Sequence, residues 1–246
     1  MMQGKVAIIT GASGGLGRVL AAELGEAGAS IVVHYLTNEE AAARLVSKIR
    51  EDGGKAIKAR ADVTNSSEVE SMVHRALDTF GRIDILVNNA GINRDAISWK
   101  MDERAWSQVL DVNLTGAFLC AKTVLPAMRR QQWGRIINIS SVVAQIGVPG
   151  AAAYAASKAG LIGLTKTLAR EVVRKSITVN CLALGYFSAG LMLTLAPELQ
   201  QTILSHIPMG RLGEPEEVAH TVRFLCHERA SYITGQVLSI NGGLHM

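Results

Sequence analysis

Short, nearly continuous apolar runs alternate along the chain with longer stretches in which apolar residues recur at three- and four-residue spacing. The short runs read VAIIT, SIVVHY, IDILV and RIINI, without the apolar–polar alternation of a sheet that faces water on one side. Such runs predict parallel strands covered on both faces. Strands are expected at residues 5–10, 30–35, 56–61, 83–87, 135–140, 178–182 and 237–240. Helices are expected at residues 15–27, 39–52, 66–80, 103–131, 154–174 and 216–226. Crossovers of helical length between parallel strands are right-handed βαβ units, so the pattern predicts an α/β fold with a doubly wound, parallel, seven-stranded sheet. Ligands of such a sheet bind beyond the carboxyl ends of its strands, where the strand order reverses.

Local signals agree with these elements. Gly53-Gly54 and Gly81 stand where helices should end, since glycine adopts the left-handed cap without strain. Ser66 reads as a helix start, and Pro215-Glu216-Glu217 puts proline and acids into a first turn. Neither a repeat nor a Pro/Gly/Ser linker divides the chain, so residues 1–246 are expected to form a single domain. One irregular region, near residues 183–211, is rich in Leu, Met and small residues and follows a strand, which marks a candidate substrate loop.

Composition narrows the function. With 48% hydrophobic and 19% charged residues, a chain of 246 residues can bury a large core without disulfides. Cys120, Cys181 and Cys226 are far apart and odd in number, which argues for free buried thiols and a cytoplasmic setting. The net charge of +4 is spread along the chain and only 4% of residues are aromatic, so no nucleic-acid surface is expected. No apolar run approaches the ~20 residues that span a bilayer, and no leader-like segment opens the chain, so no membrane association is expected. The six histidines share no ligand spacing, and no metal site is expected.

The chemistry begins at the first turn. Strand KVAIIT runs into Thr10-Gly11-Ala12-Ser13-Gly14-Gly15-Leu16-Gly17 and then into a helix. Glycines there let backbone amides and a helix N-terminus approach a pyrophosphate. The end of the second strand, His34-Tyr35-Leu36-Thr37, lacks the carboxylate that would accept from the ribose hydroxyls of NAD. Asn88-Asn89-Ala90-Gly91 follows the fourth strand and reads locally as a turn. Asp62-Val63 after the third strand reads equally well as turn or capping chemistry.

Tyr154 and Lys158 are four residues apart on one expected helix, so their side chains share a face. An ammonium beside a phenol favours the phenolate, and a phenol so tuned can protonate a carbonyl oxygen as hydride reaches the carbon. Ser140 and Ser141 end the fifth strand, where a hydroxyl can hold a substrate oxygen. Asn113, followed closely by Gly116, is a polar amide inside a long helical pattern.

Taken with TGxxxGxG at residues 10–17, NNAG at residues 88–91 and YxxxK at residues 154–158, the whole chain resembles the short-chain dehydrogenase/reductase family. The resemblance implies a Rossmann-like fold and a nicotinamide cofactor. It places Gly11, Ser13, Gly14, Gly15, Leu16 and Gly17 at the pyrophosphate, Asp62 and Val63 on the adenine side, and Asn89, Ala90 and Gly91 near the nicotinamide-side ribose. The thirteen-residue spacing to Tyr154 selects Ser141 over Ser140. Asn113 is implied at a helix kink whose backbone carbonyl holds a relay water, and Lys158 at the ribose. Gly14 stands where many NADP-using relatives carry arginine, which counts against NADP, but the absence of a carboxylate after the second strand favours NADP(H) over NAD(H).

Ile92-Asn93-Arg94-Asp95, Ala159-Gly160-Leu161-Ile162-Gly163 and the ending Asn241-Gly242-Gly243 are similar to 3-oxoacyl-thioester reductases and acetoacetyl-CoA reductases. The implied substrate is a 3-oxoacyl thioester on acyl carrier protein or CoA, and the implied assembly a homotetramer. Another ketone such as a polyketide, or a non-catalytic NADP-binding subunit, are the alternatives. The chain departs from the family pattern after the sixth strand. Leu184-Gly185 replaces a Pro-Gly pair, and Ala189 stands where a threonine is expected. Phe187 takes the position whose backbone amide meets the carboxamide, and Ser188 is one residue from the missing hydroxyl. Arg129-Arg130 and Arg174-Lys175 end two long helices and read either as dipole compensation or as a docking patch for an acidic carrier.

Overall fold

Seven parallel strands form one sheet: β1 (Val6–Ile9), β2 (Ser30–Tyr35), β3 (Lys55–Arg60), β4 (Ile85–Asn88), β5 (Gly134–Ser141), β6 (Ile177–Leu184) and β7 (Val237–Ile240). The computed structural model describes residues 2–189 and 196–246, the side chain of Leu199 excepted. The strand order is β3-β2-β1-β4-β5-β6-β7, so the direction of winding reverses between β1 and β4. That reversal sets the crevice at the carboxyl ends of those two strands.

Nine α-helical segments accompany the sheet among the described residues: α1 (Gly15–Glu26), α2 (Glu39–Glu51), α3 (Ser66–Phe80), α4 (Glu103–Leu110), α5 (Gly116–Gln131), α6 (Val143–Ile146), α7 (Ala152–Val172), α8 (Pro197–His206) and α9 (Pro215–Cys226). Successive strand residues point to opposite faces. Ala7, Ile9, Ile31 and Val33 therefore pack with Leu20 and Leu24 of α1, Leu45 and Ile49 of α2, and Val218 and Val222 of α9. Val6, Ile8 and Val32 pack with Met72 of α3, Val124 and Met128 of α5, and Leu168 and Val172 of α7. Each fully buried Ile, Leu, Val or Met contributes about 1.5–3 kcal/mol. Two cores on one sheet explain why the strands read as continuous apolar runs.

The helix expected at residues 103–131 forms with an interruption. Residues Asp111–Thr115 make a π-helical turn between α4 and α5, and Asn113 sits inside it, buried. One extra residue per turn bends the axis and turns that amide inward. The joined helix Glu103–Gln131 has the length and mean hydropathy, 1.2 in its most apolar stretch, of a bilayer-crossing segment. Here its apolar stripe lies against α3, α7 and the sheet.

Of the candidate loop near residues 183–211, residues 183–184 finish β6 and residues 197–206 form α8, while residues 190–195 lie outside the described set. The four-residue α6 was not expected either, because one turn carries no readable period. The helix start expected at Ser66 holds, with Asn65 as the cap, its side chain accepting from the amides of Ser67 and Glu68.

The amino ends of the strands hold a separate charged cluster. Asp84 is fully buried and accepts from Val6 N–H at 2.9 Å and from Arg82 at 2.8 and 2.6 Å. Lys5 and Arg135 lie over the Trp133 ring at 3.6 and 4.4 Å. These groups fasten the sheet on the side opposite the crevice.

Candidate active site

The first turn is built around glycine. Gly11 has φ +65°, and a Cβ on Gly17 would lie 2.4 Å from Gly11 O, 2.7 Å from Asn89 Nδ2 and 2.9 Å from Ala12 Cα. Only a hydrogen side chain lets α1 begin this close to the turn. Thr10 Oγ1 accepts from the amides of Asn89 and Ala90 at 2.9 Å each, and Asn89 Nδ2 donates to Thr10 O at 2.9 Å. The NNAG segment is thereby fixed to the glycine turn across the reversal of strand order.

Helix α1 starts differently from its neighbours. Asn38, Asn65 and Asp102 cap α2, α3 and α4 with side-chain oxygens, whereas Gly14 at the start of α1 offers none, and α1 has no acid in its first turn. Its first amides and the positive end of its dipole are left for an anion. A cavity of about 710 Å³ runs along it, its charged lining mixed: Arg18, Arg44 and Lys48 with Glu23, Glu26 and Glu216.

Tyr154 is the third residue of α7 and Lys158 follows one turn later. Lys158 is 4% exposed; its Nζ donates to Ile139 O at 2.7 Å and lies 5.5 Å from the centre of the Tyr154 ring. Burial lowers the Lys158 ammonium to about 8, so it still carries charge at neutral pH. The Tyr154 phenol moves up rather than down. Burial is the main cause, Asp95 and Tyr186 add to it, and a hydrogen bond with Ser141 opposes it. The expected lowering by lysine does not appear: Lys158 is not among the groups that shift the phenol, and desolvation sets the direction.

Ser141 ends β5 as expected, buried, with Oγ accepting from Val143 N–H at 3.2 Å. Its hydroxyl also hydrogen-bonds with the Tyr154 phenol, which places it where a substrate oxygen would meet both groups. Ser140 faces the other way and donates to Lys158 O at 2.8 Å, which is the period of a strand. Asn113 does more with its side chain than a backbone role required. Oδ1 accepts from Ile92 N–H at 2.8 Å, and Nδ2 donates to Ile92 O at 3.0 Å and Ser157 Oγ at 3.0 Å. Ser157 in turn donates to Tyr154 O at 2.7 Å. A Cβ on Gly91 would come within 3.2 Å of Asn113 Oδ1 and 3.5 Å of Lys158 Nζ. NNAG, the π turn and the start of α7 thus meet at one point.

Other expected residues fall less simply. The Asp62 carboxylate accepts from the amide and hydroxyl of Thr64 at 2.9 and 2.7 Å, which is turn chemistry, while Val63 is buried against the second core. Phe187 forms a parallel bridge with Gly213, where a Cβ would strike its ring at 2.5 Å. The Ser188 hydroxyl hydrogen-bonds to the Glu214 carboxylate and so does not replace the hydroxyl missing at Ala189. Arg129 and Arg130 end α5, and Arg174 and Lys175 follow α7, all at the amino ends of β5 and β6. They stand on the opposite side of the sheet from the crevice, where dipole compensation accounts for them. Reading the sequence missed Asp95 and Tyr186 as neighbours of the phenol, and it missed the part played by His34. A carboxylate four residues past NNAG was the available signal for Asp95.

Residues 11–245 match the family model described as enoyl-(acyl carrier protein) reductase. A 3-oxoacyl-(acyl-carrier-protein) reductase of Staphylococcus aureus is 43% identical over 246 residues, covering 100% of both chains. A protein of the same name from Synechocystis sp. is 46% identical over 243 residues, 98% of this chain and 97% of the relative. One from Staphylococcus epidermidis is 43% identical over 242 residues, 98% and 99% of the two chains.

Proposed function

We propose, from the premise that the chain belongs to the short-chain dehydrogenase/reductase family, that it reduces a 3-oxoacyl thioester to the 3-hydroxyacyl thioester with NADPH. The observation that carries this is the meeting of Tyr154, Ser141 and Lys158 beside Gly91, at the reversal of strand order. NADPH, when bound, supplies the hydride that reaches the carbonyl carbon.

The chain's own groups divide the remaining work. A phenol raised above its usual range holds its proton firmly, so Tyr154 begins as the acid that carbonyl reduction needs. As the substrate oxygen takes that proton, negative charge passes to the phenol oxygen, and the Lys158 ammonium stabilises it in a dry setting. Ser141 donates to the substrate oxygen and orients it. Asn113 fixes the Ile92 backbone and, with its own carbonyl, holds the water that returns a proton through Lys158.

The residues around the crevice suit the dinucleotide. Gly11, Ser13, Gly14, Gly15, Leu16 and Gly17 take the pyrophosphate at the uncapped start of α1. Asp62 and Val63 take the adenine side, Asn89, Ala90 and Gly91 the nicotinamide-side ribose, with Tyr154 and Lys158, and Phe187 the carboxamide through its backbone. NADPH is favoured because β2 ends without a carboxylate, and Glu39, the next acid, is held by Lys58 at 2.7 Å. The exposed Phe118 of α5 and Trp106 of α4 fit a homotetramer packed through these helices. Three buried free thiols fit a cytoplasmic enzyme.

Initial rates with acetoacetyl-CoA and with 3-oxoacyl groups on acyl carrier protein, each run with NADPH and NADH, test the proposal. Turnover of both thioesters is expected, with NADPH the better reductant and the carrier-linked substrate the better acceptor. Absence of nicotinamide oxidation with every 3-oxoacyl thioester refutes it.

A further inference from the structure

His34, the fifth residue of β2, is 2% exposed and touches none of the groups that carry the chemistry. Its Nδ1 accepts from Gly11 N–H at 2.8 Å, and its Nε2 lies 2.9 Å from Ala61 O. An amide can donate only to a nitrogen that bears a lone pair, so the proton resides on Nε2 and is donated to Ala61 O. One neutral tautomer satisfies both contacts. The backbone adds a third link, Ala12 N–H to His34 O at 2.9 Å. The ring therefore spans from the glycine turn to the end of β3, one residue before Asp62.

We infer that His34 is a positioning residue for the dinucleotide, its imidazole holding the Gly11 N–H and with it the turn that faces the pyrophosphate. The inference rests on the dinucleotide assignment made above. Gly11 has a left-handed backbone, and its carbonyl is the atom that a Cβ on Gly17 would meet first. A peptide in that conformation needs its N–H held, and the imidazole holds it. The arrangement fails on protonation, since a second N–H at Nδ1 would face Gly11 N–H donor to donor. Burial keeps the imidazole below its usual range, with the Ala61 carbonyl and Asp62 acting in the opposite direction. Asp62 is the charged group that acts on the ring; residues 6–17, which form β1 and the turn, contain no titratable side chain. Because the folded-state value is depressed, the neutral ring is fully present above the ordinary imidazole range and is lost as pH falls through the lower folded value. Dinucleotide affinity should fall over that acid window.

The test is the Kd for NADPH and for NADH, by nicotinamide fluorescence from about pH 5 to 8, for the wild type and for His34→Asn, His34→Gln and His34→Leu. Asparagine can still present an oxygen to Gly11 N–H; glutamine reaches only Ala61; leucine does neither. His34→Leu and His34→Gln are expected to lose about ten-fold in NADPH affinity, chiefly in Kd and KM rather than kcat. His34→Asn should stay within about three-fold of wild type near neutrality, yet lack the wild-type decline in acid. Equal affinities across the set, or a His34→Asn profile that parallels wild type in acid, overturn the inference. Should the leucine variant fail to fold, the His34→Asn acid profile decides alone. A wild-type protein that binds neither nucleotide overturns the dinucleotide reading itself, and this inference with it.

Discussion

Replacing Gly17 by alanine probes how closely α1 approaches the first turn. The new methyl would stand 2.4 Å from Gly11 O, 2.7 Å from Asn89 Nδ2 and 2.9 Å from Ala12 Cα. Two of these are backbone atoms, and Asn89 is fixed to Thr10 O at 2.9 Å, so no flexible side chain can give way. Overpacking of this kind costs about 1–3 kcal/mol, and disturbing the Asn89 hydrogen bonds adds about 1 kcal/mol. Alanine's better helix propensity offsets about 1 kcal/mol, leaving a net loss of about 1–3 kcal/mol. For a domain of this size that is a fall in Tm of roughly 2–12 °C. Thermal unfolding by circular dichroism measures it, with NADPH titration on the same samples to follow the displaced turn. Gly14→Ala is the control in the same turn. Its Cβ would meet only Gly11 O, at 3.4 Å, from an ordinary φ of −90°, so its stability should stay within about 0.5 kcal/mol of wild type. A Gly17→Ala protein with unchanged Tm and unchanged NADPH affinity refutes the close approach.

Lys158 and the thiols give further tests. Burial sets the Lys158 ammonium at about 8, so kcat/KM for reduction should fall as pH rises through about 8 and the charge is lost. Because the folded value lies below the ordinary 10.5 of the unfolded chain, folding is opposed below about 8 and the opposition lifts as pH rises from about 8 towards 10.5. Lys158→Met should therefore be more stable than wild type at pH 7, by roughly 1–2 kcal/mol after loss of the Ile139 hydrogen bond, while turnover disappears. Equal or lower stability contradicts the burial account. Cys120, Cys181 and Cys226 are buried, with thiols pushed up to about 12, 11 and 12. None should react with an aromatic disulfide reagent in the native protein, and all should react in denaturant.

Much of this arrangement could be read from residues alone because parallel strands and glycine turns write strong local patterns. The apolar runs at β1, β2, β4 and β5 are continuous because both faces are covered, and the period of a strand separates Ser141 from Ser140. What escaped depends on contacts far apart in the chain. A π turn at residues 111–115 differs from an α turn by one residue and leaves the apolar stripe intact. The upward shift of the Tyr154 phenol could not be read from the pairing with Lys158, because it comes from desolvation and burial is not local information. His34 sits within SIVVHY and reads as one more strand residue until Gly11 and Ala61, 23 and 27 residues away, are brought to its ring.

The proton donor is the centre of the account, and Tyr154→Phe tests it most directly. Phenylalanine keeps the ring and removes only the hydroxyl. NADPH binding should stay within about two-fold, while kcat for 3-oxoacyl thioester reduction falls by about 10²–10⁴-fold, the usual weight of a positioned acid. A variant that binds NADPH as before and reduces the thioester at the wild-type rate contradicts it.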